Sequence, residues 1–458
     1  MKIAHLELML FFLTAFVCIF LFLYDVYVDI SITFALLVSI VVYLFTSPTM
    51  KGRSFSKIVM IVYLAPFVHL YEYLIYGYDY REHAFGLLMS NSYSFVQPII
   101  ETMGLLAATG ALGLLIGLIS GGKFPGRSTL PSQSTYLPLS MRGFWFFLLL
   151  SLFFAFIDKP TQTITEAAYT ASLNLLQQAG ISFNGAWQMS YILLAAAYID
   201  SVLSRDRTKT YLFVAVLILE TYWQFSTGNR EIIGFYLFLL LMNAYRIRRT
   251  KQAVFLFLAA VFLLLVSQIV GVMRSMATDK DLVEMAATMY ENVYFDRMLQ
   301  GTWSAVCLTP LSVAGDYYYG LLDFKYGSTY LDYILSLPPS FLADMLGYIR
   351  PVNGFAGPAW EMRYGIGGTH ALVVPFMNFG IMGVFGIMFL YGLLLSRIEA
   401  KLAANNFYNL LLIGVFALNI LFWFWYGEMY MIRGLMAYAF AALLYFIAVK
   451  VQWRWKAR

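Results

Sequence analysis

Apolar and polar positions in this chain come in blocks rather than in the short periods of strands or surface helices. Long apolar runs recur at 7–24, 29–47, 58–77, 98–119, 142–157, 186–203, 210–226, 231–247, 252–272, 371–396, 407–425 and 430–449. About 20 apolar residues in a row predict a bilayer-crossing helix, because a rise of ~1.5 Å per residue carries such a run over ~30 Å of hydrocarbon. The shorter alternating segments of a membrane β-barrel are missing. The pattern predicts an all-α polytopic membrane protein with about 12 spans in one transmembrane domain, 1–458.

One interruption is long. From Arg274 to His370 the chain is polar, which predicts a large loop at 273–370 between the ninth and tenth spans. Within it, Leu282, Met285, Met289, Val293 and Leu299 have helical spacing, so an amphipathic helix is expected over 279–305. Tyr317-Tyr-Tyr319 and Gly327-Ser-Thr-Tyr330 set aromatics beside turn residues, and Pro338-Pro339 and Arg350-Pro351 break the remainder of the loop. A short second exposed piece, Ser226 to Glu231, joins the seventh and eighth spans and is expected on the same side.

Composition sharpens the picture. The chain is 61% hydrophobic and 12% charged, where soluble domains carry roughly 25% charged residues. The charges also orient the spans. With the N-terminus inside, the inner segments collect Lys51, Arg53 and Lys57, then Arg205, Arg207 and Lys209, then Arg246, Arg248, Arg249 and Lys251. Lys450, Arg454, Lys456 and Arg458 come last, at the C-terminus. The positive-inside rule then predicts both termini in the cytoplasm. The net charge of +5 reflects that topology, and no nucleic-acid partner is expected. The first apolar run lacks a small-residue cleavage site and reads as a retained signal anchor.

Cys18 and Cys307 form no CxxC pair or His/Cys cluster, and HExxH is absent, so neither metal nor other cofactor is expected. Asp279-Lys-Asp281 has the spacing that some glycosyltransferases use for a metal. It also opens the expected amphipathic helix, where acids suit the helix dipole.

The candidate chemistry lies on the outer pieces. Arg230, in Thr227-Gly-Asn-Arg230-Glu231, stands where the eighth span begins. Free backbone N–H groups, the helix dipole and a guanidinium fork would together hold an anion there. An interfacial arginine reaching headgroups, or paired with Glu231, fits the same position. Arg274 ends the ninth span on the outer face, against the charge rule. Arg297 sits on the expected amphipathic helix, Arg350 in the Gly/Pro-rich loop, and Arg363 before Gly365-Ile-Gly-Gly-Thr-His370. Those glycines would let backbone approach a bulky ligand. His370 suits a general base, a diphosphate ligand or a structural role equally. Asp316 is among the outer acids, and Tyr330 among the aromatics that would stack on sugars or anchor at the interface.

Thr227-Gly-Asn-Arg230, the late outer loop, Gly327-Ser-Thr-Tyr330-Leu331 with Leu337-Pro338, and Asn378-Phe-Gly380 followed by Gly383 together resemble the Wzy-type polymerases. Members of that family polymerise O-antigen or enterobacterial common antigen repeat units. The resemblance implies a GT-C-type glycosyltransferase fold in the bacterial inner membrane, working at the periplasmic face. It implies transfer of glycan from undecaprenyl diphosphate to the non-reducing end of another undecaprenyl-diphosphate-linked oligosaccharide. Membrane lipid and a chain-length regulator protein are the further partners implied. Arg230 and, beside it, Arg274, Arg297 and Arg363 match the arginines that hold the diphosphate without a metal. Within that chemistry His370 is the first choice of base, with Glu231 or an outer Asp behind it. The Arg-x10-Gly loop pattern of some polymerases is absent: the glycine position is Met285 from Arg274, Leu308 from Arg297, Glu361 from Arg350 and Val374 from Arg363. An O-antigen ligase shares the donor and topology, and a flippase or transporter shares the twelve-span layout.

Overall fold

A computed structural model describes residues 2–50, 53–72, 97–121, 137–158, 186–226, 231–244, 302–336, 344–349, 364, 368–401 and 406–456. They form a helical bundle: α1 (Lys2–Leu23), α2 (Ile30–Thr46), α3 (Ser54–Leu64), α4 (Gln97–Ser120), α5 (Met141–Asp158), α6 (Ala186–Ser204) and α7 (Arg207–Ser226). These are followed by α8 (Ile232–Ala244), α9 (Thr302–Tyr318), α10 (Ser328–Leu335), α11 (Val373–Lys401), α12 (Phe407–Tyr426) and α13 (Met429–Lys456). A 3-10 stretch, Ala65–Glu72, continues α3. Strands are absent among the described residues.

Seven of the described helices are long and apolar enough to cross a membrane: α1, α4, α5, α6, α11, α12 and α13. Every expected span other than 252–272 coincides at least in part with a described helix; that one lies outside the described residues. The outer helices show why the chain needs lipid. On α1 the large apolar side chains Met9, Leu13, Phe16 and Phe20 stand 47–64% exposed, a surface that water would not tolerate on this scale.

α4 lies at the centre. It is apolar all round and buried from Ile99 to Leu118, as a helix enclosed by others must be. Its partner is α11, and the two approach through small residues. Gly113 and Gly117, four apart on one face of α4, meet the carbonyls of Phe385 and Phe389, and Gly392 of α11 meets the carbonyl of Leu114. A β-carbon on Gly113 would sit 2.6 Å from the Phe385 oxygen, and one on Gly117 would collide with that of Phe389. Where lipid removes the hydrophobic drive between helices, such close backbone contact supplies the attraction.

The helix ends form two chemically distinct poles. At one, Arg53 donates to the Leu118 carbonyl (2.5 Å) and to Ser396 (2.9 Å), while Glu399 accepts from the Phe55 N–H (2.9 Å). Lys209 pairs with Asp200 at 2.6 Å and donates to the Leu139 carbonyl at 2.7 Å. Arg205, Arg207, Arg397 and Lys401 lie at this basic pole. The opposite pole, formed by the α1–α2 turn, the end of α9, α10, the start of α11 and the α12–α13 turn, carries Asp25, Asp29, Asp316, Asp323, Asp332 and Glu428.

The expected 273–370 loop contains structure of its own. α9 packs against α4 and the 3-10 stretch, and its residues Val306 to Ala314 are buried. Of the expected amphipathic helix, 279–301 lies outside the described residues.

The glycine contact generates a direct test. Gly117→Val should cost about 1–3 kcal/mol or more through overpacking, read as a lower melting temperature in detergent. Gly386→Ala, where nothing lies within 4 Å of the added carbon, should leave that temperature within a degree or so of the parent.

Candidate functional site

The site is built on a break in α11. Phe379 (φ −137°, ψ 15°) and Gly380 (φ 63°, ψ −155°) leave the helical conformation and split α11 into 373–378 and 381–401. The positive φ at Gly380 is one that glycine takes without the steric cost of a β-carbon. A break inside an apolar bundle frees backbone carbonyls that must find donors. The chain returning from α9 supplies them: Lys325 N–H donates to the Met377 carbonyl (2.8 Å) and Tyr326 N–H to that of Asn378 (3.2 Å).

Asn378 ties the joint together. Its Oδ1 accepts from the Gly327 N–H at 2.7 Å, and its Nδ2 donates to Thr329 Oγ1 and to the Val374 carbonyl (2.8 Å). Gly327, at φ 91°, starts α10 and turns it across the broken helix. Tyr330 then stacks on Phe379, with ring centroids 6.3 Å apart and planes 7° apart. The two stretches Gly327–Leu331 and Asn378–Gly380, some fifty residues apart in sequence, are one hydrogen-bonded unit.

Beneath Tyr330 lies an acid that the sequence pattern did not single out. Glu428 occupies the two-residue turn between α12 and α13 and is 5% exposed. Its Oε1 accepts from Tyr391 (2.5 Å) and Tyr330 (3.4 Å); its Oε2 is buried with no hydrogen-bond partner among the described residues. Burial pushes the carboxyl pKa up from 4.5 to about 7, against the pull of the Tyr391, Tyr330 and Tyr333 hydroxyls. Arg433 follows within α13, its guanidinium 5.9 Å from the centre of the Tyr430 ring.

The other candidates take separate places. His370 is fully buried, edge-on to Tyr63 (5.1 Å) and Phe67 (4.7 Å). Its Nδ1 accepts from the Leu372 N–H (3.3 Å), so Nε2 carries the hydrogen and donates to the Tyr63 carbonyl (3.2 Å). Both ring nitrogens are thus engaged by backbone. Gly368, from the glycine run, approaches the Tyr426 ring and the Trp425 carbonyl at the end of α12; 365–367 lie outside the described residues. Asp316 is buried and accepts from the Tyr364 hydroxyl at 2.7 Å. Glu231 stands before α8, half-buried, within electrostatic reach of Tyr191. Arg230, Arg274, Arg297, Arg350 and Arg363 lie outside the described residues, as does Asp279-Lys-Asp281. Among the described residues no group of three His, Cys, Asp or Glu has the arrangement of a metal site.

No family model matches the chain, and neither do any curated proteins or solved structures.

Two outcomes are expected from this geometry. Asn378→Ala strips the bonds to Gly327, Thr329 and Val374 and should destabilise the joint by about 1–3 kcal/mol, with faster protease cleavage between 325 and 336; Thr329→Val, which removes one of the three, should do less. A carboxyl whose folded pKa is raised stabilises the fold fully below its ordinary value and loses that contribution as pH climbs through about 7. Glu428→Gln, neutral throughout, should therefore melt above the parent at pH 8 and level with it at about pH 4, by calorimetry.

Proposed function

We propose that this protein is a glycosyltransferase of the bacterial inner membrane that polymerises lipid-linked oligosaccharide repeat units, with the acidic pole facing the periplasm. One observation carries the reading. The Gly327–Leu331 and Asn378–Gly380 stretches, through which the sequence resembles Wzy-type polymerases, are bonded to one another through Asn378. The concentration of basic residues at the opposite pole agrees with a cytoplasmic placement of that pole.

In this reading the glycan leaves undecaprenyl diphosphate and joins the non-reducing end of a second undecaprenyl-diphosphate-linked unit. A diphosphate leaving group needs positive charge rather than a strong acid, and arginines keep theirs where the dielectric is low. Arg230, Arg274, Arg297, Arg350 and Arg363 are the proposed holders of the diphosphate, without a metal. Tyr330 is the proposed platform for a sugar ring, and a chain-length regulator is the proposed protein partner.

A second reading, export of the lipid-linked unit, draws on Glu220. This acid lies fully buried in α7, where Ser151 (2.5 Å) and Ser190 (3.2 Å) donate to it. An ionisable group so placed is expensive and belongs more often to a conducting path than to scaffold.

A strain without the gene separates the readings on a gel of surface and carrier-linked glycan. Core or carrier bearing a single repeat unit is the expected result. Bare core with long glycan held on the carrier would replace the polymerase by a ligase, and single units trapped on the cytoplasmic face would replace it by a flippase.

A further inference from the structure

Glycosyl transfer to a hydroxyl needs a group to take the hydroxyl proton, and the sequence candidate, His370, is spoken for. Its two ring nitrogens bind the Leu372 N–H and the Tyr63 carbonyl. Asp316 is satisfied by Tyr364 on one oxygen and lies in the wall formed by α9. Glu428 stands differently. One carboxylate oxygen is fixed by the Tyr391 and Tyr330 hydroxyls and the Tyr333 hydroxyl acts on the same carboxyl, while the other oxygen, Oε2, is buried with no partner at hydrogen-bond geometry among the described residues. An unsatisfied buried acceptor is unfavourable for the fold alone, and a ligand that brings a donor would satisfy it.

The surroundings suit a sugar. Tyr330, which donates to Oε1, lies parallel to Phe379, and Phe379 is 45% exposed. An aromatic face thus runs from the surface to the acid. α10, the break in α11 and the start of α13 all meet at this point, and Asn378 holds the first two in register.

From this geometry we propose that Glu428 is the proton acceptor of the transfer, with Oε2 receiving the proton of the acceptor sugar hydroxyl. The proposal rests on the polymerase reading. The acceptor O–H bond breaks and its proton passes to Oε2. The oxygen's electron pair forms the new bond to the anomeric carbon. The bond from that carbon to the diphosphate oxygen breaks, and its pair departs with undecaprenyl diphosphate. Tyr391 and Tyr330 act as positioning residues: by donating to Oε1 they leave Oε2 turned toward the acceptor.

The test uses the full-length protein in detergent or vesicles, with a radiolabelled undecaprenyl-diphosphate-linked repeat unit as substrate. Glu428→Gln should lower kcat by at least about 100-fold, the usual share of a general base. KM should stay within about twofold and the melting temperature at or above that of the parent. A folded Glu428→Gln protein whose kcat stays within about threefold of the parent overturns the proposal. Should that variant not fold, Glu428→Asp decides: a folded protein with kcat about tenfold down at unchanged KM supports it, and parental kcat overturns it. Tyr391→Phe should shift the acidic limb of the kcat–pH profile, which a merely structural hydroxyl would leave in place. A parent protein that forms no oligomer removes the polymerase reading itself, whereas an active parent with an active Glu428→Gln removes the proposal alone.

Discussion

The close approach of α4 and α11 is the constraint on which the rest of the structure depends. Glycines at 113, 117 and 392 let the two backbones touch; α1, α2, α3, α9 and α12 pack on that pair, and α6, α8 and α13 pack in turn on α12. The contact fixes α11 from Phe385 to Ser396. It thereby sets the depth at which the helix breaks, one to two turns earlier, at Phe379 and Gly380. Were that pair to slide, the freed carbonyls of Met377 and Asn378 would lose the donors at Lys325 and Tyr326. In an apolar surrounding no water would replace them.

The acidic pole inherits its order from this break. Asn378 converts a defect in α11 into a docking point for the 324–336 stretch, and α10 in turn brings Tyr330 to Glu428. The acid is held partly satisfied, with a raised pKa whose first cause is burial. Such an arrangement weakens the fold when the group ionises.

The parts of this architecture legible in the sequence were those written in long blocks. Apolar runs located the helices, and basic clusters such as Arg205, Arg207 and Lys209 marked one pole. The joint was legible as two short motifs, Gly327–Tyr330 and Asn378–Gly380, although nothing in their spacing said that they touch. Other features left no readable trace. Glu428 is a lone acid in a two-residue turn between two spans, with no period and no partner nearby in sequence; Tyr391 sits inside an apolar run. The burial of α9 was hidden because Thr309, Pro310, Ser312 and Asp316 give 302–318 a polar look. The packing of His370 was equally invisible, since Tyr63 and Phe67 reach it from some three hundred residues away.

The decisive measurement is photocrosslinking of a diazirine-bearing, undecaprenyl-diphosphate-linked oligosaccharide to the protein in native vesicles, with the labelled peptides identified by mass. With the probe borne on the sugar, label is expected on peptides spanning 324–336 and 378–380, beside Glu428. Label confined to α5, α6 and α7 around Glu220, with none on those peptides, would contradict a glycan site at the break in α11.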